Sequence, residues 1–329
     1  MFSRDNRRTF VLVISLMILS CGSVFAQTRS DKSDKKDKQI PANATRVLWS
    51  DPGNISSRDL FLGPGGAAMK PDLSRVTFVK VETGGFSTKY RVKDGSGRTW
   101  VVKVGQEARP ETAAVRLAWA VGYATEVNYL YPCVQIVGAP KPHKKEYECA
   151  NNGHANVRFE ARPENVKRLD EWAWQSNPFA GTKELKGLLV LMSLLNNWDL
   201  KDSNNKILLV NNDAGQPELR YIISDLGATF GKTGGFLSRS RNEPEDYVKA
   251  KFVEGVNGGE VKLSYSGKEQ VLMRGITVAD ARWIGGLLSQ LSDNQLADAF
   301  RAGNFSAEEI QMLVTATRAR INQLVNLPG

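Results

Sequence analysis

The spacing of apolar and polar positions along the chain changes several times, and each change marks an element. Phe10 to Leu19 is an apolar run broken only by Ser15. Residues 27–45 are rich in Lys, Asp and Ser, have too little apolar area to fold, and are predicted to be disordered. Residues 46–75 contain Asp51-Pro52-Gly53 and Gly63-Pro64-Gly65-Gly66, which predicts a loop-rich lead-in. Three β-rich stretches follow, Thr77 to Val81, Lys89 to Val92 and Thr99 to Val104, the last two separated by Asp94-Gly95-Ser96-Gly97. They predict an antiparallel meander. Pro110 is expected at the first position of a helix that runs to Val121 and stops at Gly122.

Cys133 to Val137 reads as a strand, followed by a polar insertion around Lys141 to Asn156. Thr182 caps a predicted helix over 183–197 that is apolar on nearly every side, as in the buried spine of a domain. Asn205 to Asn211 and Leu219 to Ser224 predict a hairpin across Asn212-Asp213-Ala214-Gly215. The last third reads as helical, with capping boxes at Ser292/Gln295 and Ser306/Glu309. The order predicts an α+β chain of two lobes: a small antiparallel N-lobe over about 76–165 and a mainly helical C-lobe over about 166–329.

The N-terminus alters the setting. Arg4, Arg7 and Arg8 precede the apolar run, and Val24-Phe25-Ala26 precedes Gln27, the layout of a signal peptide over residues 1–26. The run is shorter than the roughly 20 residues that cross a bilayer, so no transmembrane helix is expected in the mature chain. Arg7-Arg8 resembles a twin-arginine signal. Ile18-Leu19-Ser20-Cys21 fits a lipoprotein box that would anchor the chain at Cys21; cleavage after Ala26 is the preferred reading. The expected location is periplasmic or extracellular. There the two remaining cysteines, Cys133 and Cys149, read as one disulfide. The net charge of +9 falls to about +7 without the signal, and residues 27–46 hold six basic against three acidic side chains. No aromatic platform interrupts that stretch, so no nucleic-acid partner is expected.

Candidate chemistry lies between the meander and the hairpin. Lys103 sits in an apolar strand where a charge needs a partner. Glu111 lies in the first turn of the next helix. Asp199-Leu200-Lys201-Asp202-Ser203-Asn204 joins the buried helix to the hairpin, and Asp225-Leu226-Gly227 ends it. Phosphoryl transfer from a nucleotide needs a lysine on the phosphates, a glutamate holding it, two oxygen ligands for magnesium and a carboxylate for the acceptor. All are present, in that order. Taken singly, each has a plain reading: a helix-terminus charge for Glu111, turn residues for 199–205 and 225–227. His143 and His154 are expected at the surface of the insertion. Trp172 and Trp174 are expected to pack beneath it.

Together, Val101-Val102-Lys103, Asp199-Leu200-Lys201-x-x-Asn204 and Asp225-Leu226-Gly227 resemble the protein-kinase-like superfamily. The step from Asp199 to Asn204 is also that of phosphoinositide kinases and HipA-like kinases, and Asn197-Trp198-Asp199 is similar to the HipA-like loop. Glu107-Ala108-Arg109-Pro110-Glu111 and Asn197-Trp198-Asp199-Leu200-Lys201 look like phrases of a family of exported bacterial proteins, a resemblance that brings no activity with it. The kinase resemblance implies a two-lobed kinase-like domain over 46–329, with ATP and Mg2+ (or Mn2+) as cofactors. Lys103, Glu111, Gly84 and Gly85 would bind the nucleotide. Asn204 and Asp225 would hold the metal, and Asp199 and Lys201 would act on an acceptor that the motifs do not identify. The chain departs from the pattern at three places. No His-Arg precedes Asp199, Gly84-Gly85 is all that stands for a glycine loop, and no Ala-Pro-Glu follows Asp225. These departures keep two other readings open: an inactive kinase-like binding module of the cell envelope, and a different nucleotide-dependent transfer, such as that of AMP.

Overall fold

The structure is a computed structural model that describes residues 40–328 apart from 84–86, 143 and 236. The expected signal peptide over residues 1–26 with Cys21, residues 27–39, Gly84, Gly85 and His143 therefore lie outside the described residues. The chain opens on β1 (Thr45–Val47) and continues through β2 (Val76–Glu82), β3 (Thr88–Lys93), β4 (Thr99–Val104) and α1 (Ala108–Ala120). Next come β5 (Asn128–Val134), β6 (Ile136–Val137), β7 (Glu148–Cys149) and β8 (Gly153–Ala161). Strands β2 to β8 build the first lobe, a sheet in the order β5-β8-β4-β3-β2-β6 with β7 on β8.

Period-2 alternation sorts each central strand between two faces. Tyr90, Val92, Trp100, Val102, Val104, Val157 and Phe159 fill the core of this lobe. Lys89, Val101, Lys103, Arg158 and Glu160 point the other way, toward the second lobe. Helix α1 begins two residues before Pro110, which is its third residue and not its first. Its Ala113, Ala114, Val115 and Leu117 join the core of the second lobe. The lead-in straps it there: the Trp49 indole donates to the Val121 carbonyl (2.6 Å) and Gln295 Nε2 to the Ile55 carbonyl (2.9 Å).

The second lobe starts with β9 (Lys167–Arg168) and α2 (Lys183–Leu194), followed by β10 (Asn205–Asn211) and β11 (Pro217–Ile223). Helix α2 stops three residues short of the expected end, where Asn196 takes a positive φ of 53°. Strand β1 adds in parallel to β11, so part of the lead-in is sheet. The remaining third is not purely helical. Between α3 (Pro244–Lys249) and α4 (Val278–Ser289) runs the hairpin of β12 (Val253–Asn257) and β13 (Glu260–Leu263). Helices α5 (Asp293–Ala302) and α6 (Ala307–Val325) begin at the two expected capping boxes.

Two expectations for the insertion need correction. His154 is buried on β8, with Nε2 3.1 Å from the Pro140 carbonyl and its ring edge-on to Tyr90. The β8 pairing that seats it is non-local and leaves no trace in the neighbouring residues. Trp172 and Trp174 pack on each other, and Trp172 on Tyr221 of the hairpin, in the core of the second lobe, not beneath the insertion.

Cys133 and Cys149 form the expected disulfide, with Cα atoms 5.8 Å apart. It closes the insertion that carries Tyr147, whose ring lies over Gly105 between β4 and α1. Cys133→Ser with Cys149→Ser is expected to cost about 3 kcal/mol by the loop-entropy argument. Unchanged midpoints in denaturant titrations of the double variant and the oxidised protein would sink this expectation.

Candidate functional site

The two lobes enclose a cleft of about 1070 Å³, and Lys103, Glu111, Asp199, Lys201, Asn204 and Asp225 all line it. Lys103 reaches the cleft because β4 turns its odd positions away from the sheet core. The chain then reverses at Gly105, whose φ of 128° suits glycine. That turn brings α1 back over the strand. Lys103 Nζ lies 2.7 Å from Glu111 Oε2, 3.1 Å from Asp225 Oδ1 and 3.4 Å from Glu107 Oε2. Lys103 and Glu111 are each 1 % exposed, so both charges must be met by protein groups.

Arg158, which the sequence reading missed, meets the second Glu111 oxygen. It pairs with Lys103 across β8 and β4. Its Nη2 sits 3.3 Å from Glu111 Oε1 and 2.7 Å from Glu160 Oε2. Arg162 closes on the other Glu160 oxygen. Burial opposes charge on Lys103, but Glu111 and Asp225 outweigh it and hold its pKa above the usual lysine value. Burial pushes the Glu111 carboxyl up, against the pull of Arg158 and Lys103. Burial also opposes charge on Arg158, yet Glu111 and Glu160 raise its pKa further still.

The hairpin register carries the other two oxygen ligands. Asn205 faces Ile223, and the Ser224 amide donates to the Asn204 carbonyl at 2.8 Å, so Asn204 lies beside the residue preceding Asp225. Asn204 Nδ2 donates to the Asp199 carbonyl at 2.7 Å, which leaves Oδ1 as its oxygen for a cation. Asp202, inside the same motif, accepts from the Trp174 amide at 2.9 Å and so serves the fold. Gly227 allows the chain to pass α1: a Cβ there would lie 2.6 Å from the Glu107 Cβ.

Asp199 is held between two ammonium groups, Lys201 Nζ and Lys268 Nζ, each at 2.8 Å. Burial opposes its charge, but the bonds from Lys201 and Lys268 prevail and its pKa falls below the usual carboxylate value. Asp225 is likewise held low, by Lys103 against burial. Both acids are therefore ionised at neutral pH. Among the described residues no group of three or more His, Cys, Asp or Glu side chains could hold a metal by itself. Asp225 and Asn204 offer two hard oxygens, which suits Mg2+: that ion keeps several waters and takes its remaining ligands from phosphate. Lys268, Arg158 and Glu160 are among the cleft residues that the motifs did not point to. A charged residue in the buried β8 run 157–161 was the one available signal, and it applies to Arg158.

No protein-family profile matches the chain, and no curated protein matches it by sequence. Three solved structures similar to it are kinases. The proinflammatory kinase CtkA of Helicobacter pylori is 13 % identical over 78 % of this chain and 97 % of its own, at a TM-score of 0.45. The Rio2 kinase of Chaetomium thermophilum, in an ADP/Mg2+-phosphoaspartate complex, is 11 % identical over 78 % and 74 %, at 0.33. The Golgi casein kinase is 12 % identical over 82 % and 78 %, at 0.35. The fold of this chain is two-lobed, with a sheet lobe set on a mainly helical one.

Proposed function

We propose that this chain is an exported phosphotransferase that uses Mg-ATP, with Mn2+ able to replace Mg2+. The observation that carries this reading is the meeting of Lys103, Glu111 and Asp225 within hydrogen-bonding distance, from a strand, a helix and a hairpin end. Lys103 binds the donor phosphates, and Glu111 fixes its position. Asn204 and Asp225 hold the cation, which when bound offsets charge on the phosphates. Asp199 orients the acceptor hydroxyl by accepting its hydrogen bond and takes up its proton as the oxygen attacks. As the new oxygen–phosphorus bond forms, the bond to the departing ADP oxygen breaks, and Lys201 offsets charge on the group in transit. A lysine held by three carboxylates beside a pair of oxygen ligands is a set that an anion and a cation would complete, which favours this reading over an inactive binding module.

The direct test is a melting curve of the purified protein with ATP, with and without Mg2+. At about 100 times its dissociation constant, the nucleotide should stabilise the fold by roughly 2.7 kcal/mol. Taking about 2–4 °C per kcal/mol, the midpoint should rise by several degrees. A cation-independent or absent shift would point to the binding-module reading.

Export is part of the same proposal. Intact mass measurement of the protein from its native cells should place the mature N-terminus at Gln27. An acylated Cys21 start would change the cleavage site and keep export, whereas a chain retaining Met1 would refute both.

A further inference from the structure

Three cations stand in one row across the sheet of the first lobe. The register sets Lys89 of β3 directly opposite Lys103 of β4, and Lys103 opposite Arg158 of β8. All three side chains share the face that lines the cleft. Residues paired in this way have Cα atoms about 4.5–5.5 Å apart, and like charges there repel. Two of the three are compensated: Lys103 and Arg158 share Glu111, and Glu160 closes on Arg158. Lys89 is not. Its other cross-strand neighbour is Glu82 of β2, but Arg91 takes that carboxylate, with Nε 2.6 Å from Oε1. Among the described residues no ion pair or hydrogen bond engages the Lys89 ammonium.

Lys89 is half-buried, which makes that isolation costly. Burial and the Lys103 charge both disfavour its ammonium and lower its pKa, although Asp225 and Glu111 pull the other way. Lys93, four residues along the same strand, shows the plain alternative: it is exposed and lies outside the cleft. The Lys89 charge also acts on Asp225, the charged member of the two oxygen ligands. A phosphate drawn to a cation at Asp225 would therefore come within reach of both lysines. Two ammonium stems one strand spacing apart, about 4.8 Å, suit neighbouring phosphates of one polyphosphate.

We propose that Lys89 is a second phosphate-binding residue of the donor site, holding the phosphate next to the one on Lys103 and so selecting polyphosphate donors over monophosphates. This rests on the donor reading above, but inorganic tripolyphosphate tests the anion site without a nucleotide. Tripolyphosphate and orthophosphate, each with Mg2+, and Mg-ATP are titrated by thermal shift into the purified protein. Tripolyphosphate should bind more tightly than orthophosphate. Loss of a charge-assisted hydrogen bond should weaken tripolyphosphate and Mg-ATP by about tenfold or more in Lys89→Met. Lys89→Arg should retain both, and Lys93→Met, which changes net charge equally outside the cleft, should weaken neither. Without ligand, Lys89→Met should melt no lower than the wild type, because the charge it removes has no partner. A lysine with a structural role alone would show the reverse, a lower midpoint with unchanged affinities. The proposal is overturned if orthophosphate binds as tightly as tripolyphosphate, or if Lys93→Met weakens binding as much as Lys89→Met. A Mg-ATP shift that survives Lys89→Met in full would leave the donor reading standing and this one refuted. Tripolyphosphate binding that requires Lys89, with no response to Mg-ATP, would do the reverse.

Discussion

Asp225→Asn is expected to remove most of the roughly 2.7 kcal/mol by which saturating Mg-ATP stabilises the fold. The substitution keeps the shape and deletes the charge, and Asp225 supplies the only charge of the two oxygen ligands that the hairpin aligns. It also frees Lys103 from one of its three carboxylates. Affinity for ATP without a cation should therefore hold or rise while the cation-dependent part collapses. Asp199→Asn should behave in the opposite way. Asp199 is tied to Lys201 and Lys268 and has no bond to Lys103, so nucleotide-induced stabilisation should persist. Transfer to an acceptor should fall by about 10²–10⁴-fold, the range for a lost general base or orienting carboxylate. Melting curves and product formation measured on the same two variants check both statements. Equal effects of the two changes on Mg-ATP binding would mean that the carboxylates do not divide the work in this way.

The residues that the sequence made legible are those whose roles follow from local spacing. Lys103 stood out because β4 is otherwise apolar but for Thr99, and Glu111 because it lies one helical turn into the next element. Asn204 and Asp225 bracket a hairpin whose strands were evident from their β-rich runs, so their adjacency followed from its register. The caps at Ser292 and Ser306 are three-residue patterns, and the helices begin there. What stayed hidden depends on contacts between distant segments. Arg158 lies 55 positions from Lys103 and becomes its neighbour only because β8 inserts between β5 and β4. Lys268 reaches Asp199 through a loop anchored by Tyr265, and no pattern around 268 announces that anchor. The lead-in looked like turns because β1 is three residues long and draws its order from β11. The buried His154 was misjudged for the same reason: its surroundings in sequence are polar, whereas those in space are Tyr90 and the Pro140 carbonyl.

Arg158→Met is expected to be the most destabilising substitution in the cleft. Methionine retains much of the aliphatic stem and removes the charge, so the loss falls on the carboxylates left behind. Glu160 would keep Arg162, and Glu111 would keep Lys103, but each would lose the cation buried between them. Removing one member of a buried ionic cluster costs about 3–5 kcal/mol, because the remaining charges stay out of water without a partner. The sign of the pH dependence separates this cause from packing. In the wild type, burial opposes charge on Glu160, but Arg162 and Arg158 hold its pKa well below the usual value. Its contribution is thus present above the unfolded carboxylate range and drains away as pH falls through the depressed native value. The Glu111 carboxyl, already pushed up by burial, should rise further without Arg158, so the variant loses stability as pH climbs through that value. Both effects act in the same direction. The deficit of Arg158→Met relative to the wild type should be larger at pH 7 than at pH 4, as read from denaturant midpoints at the two values. A deficit independent of pH would assign the loss to packing and remove Arg158 from the charge network that positions Lys103.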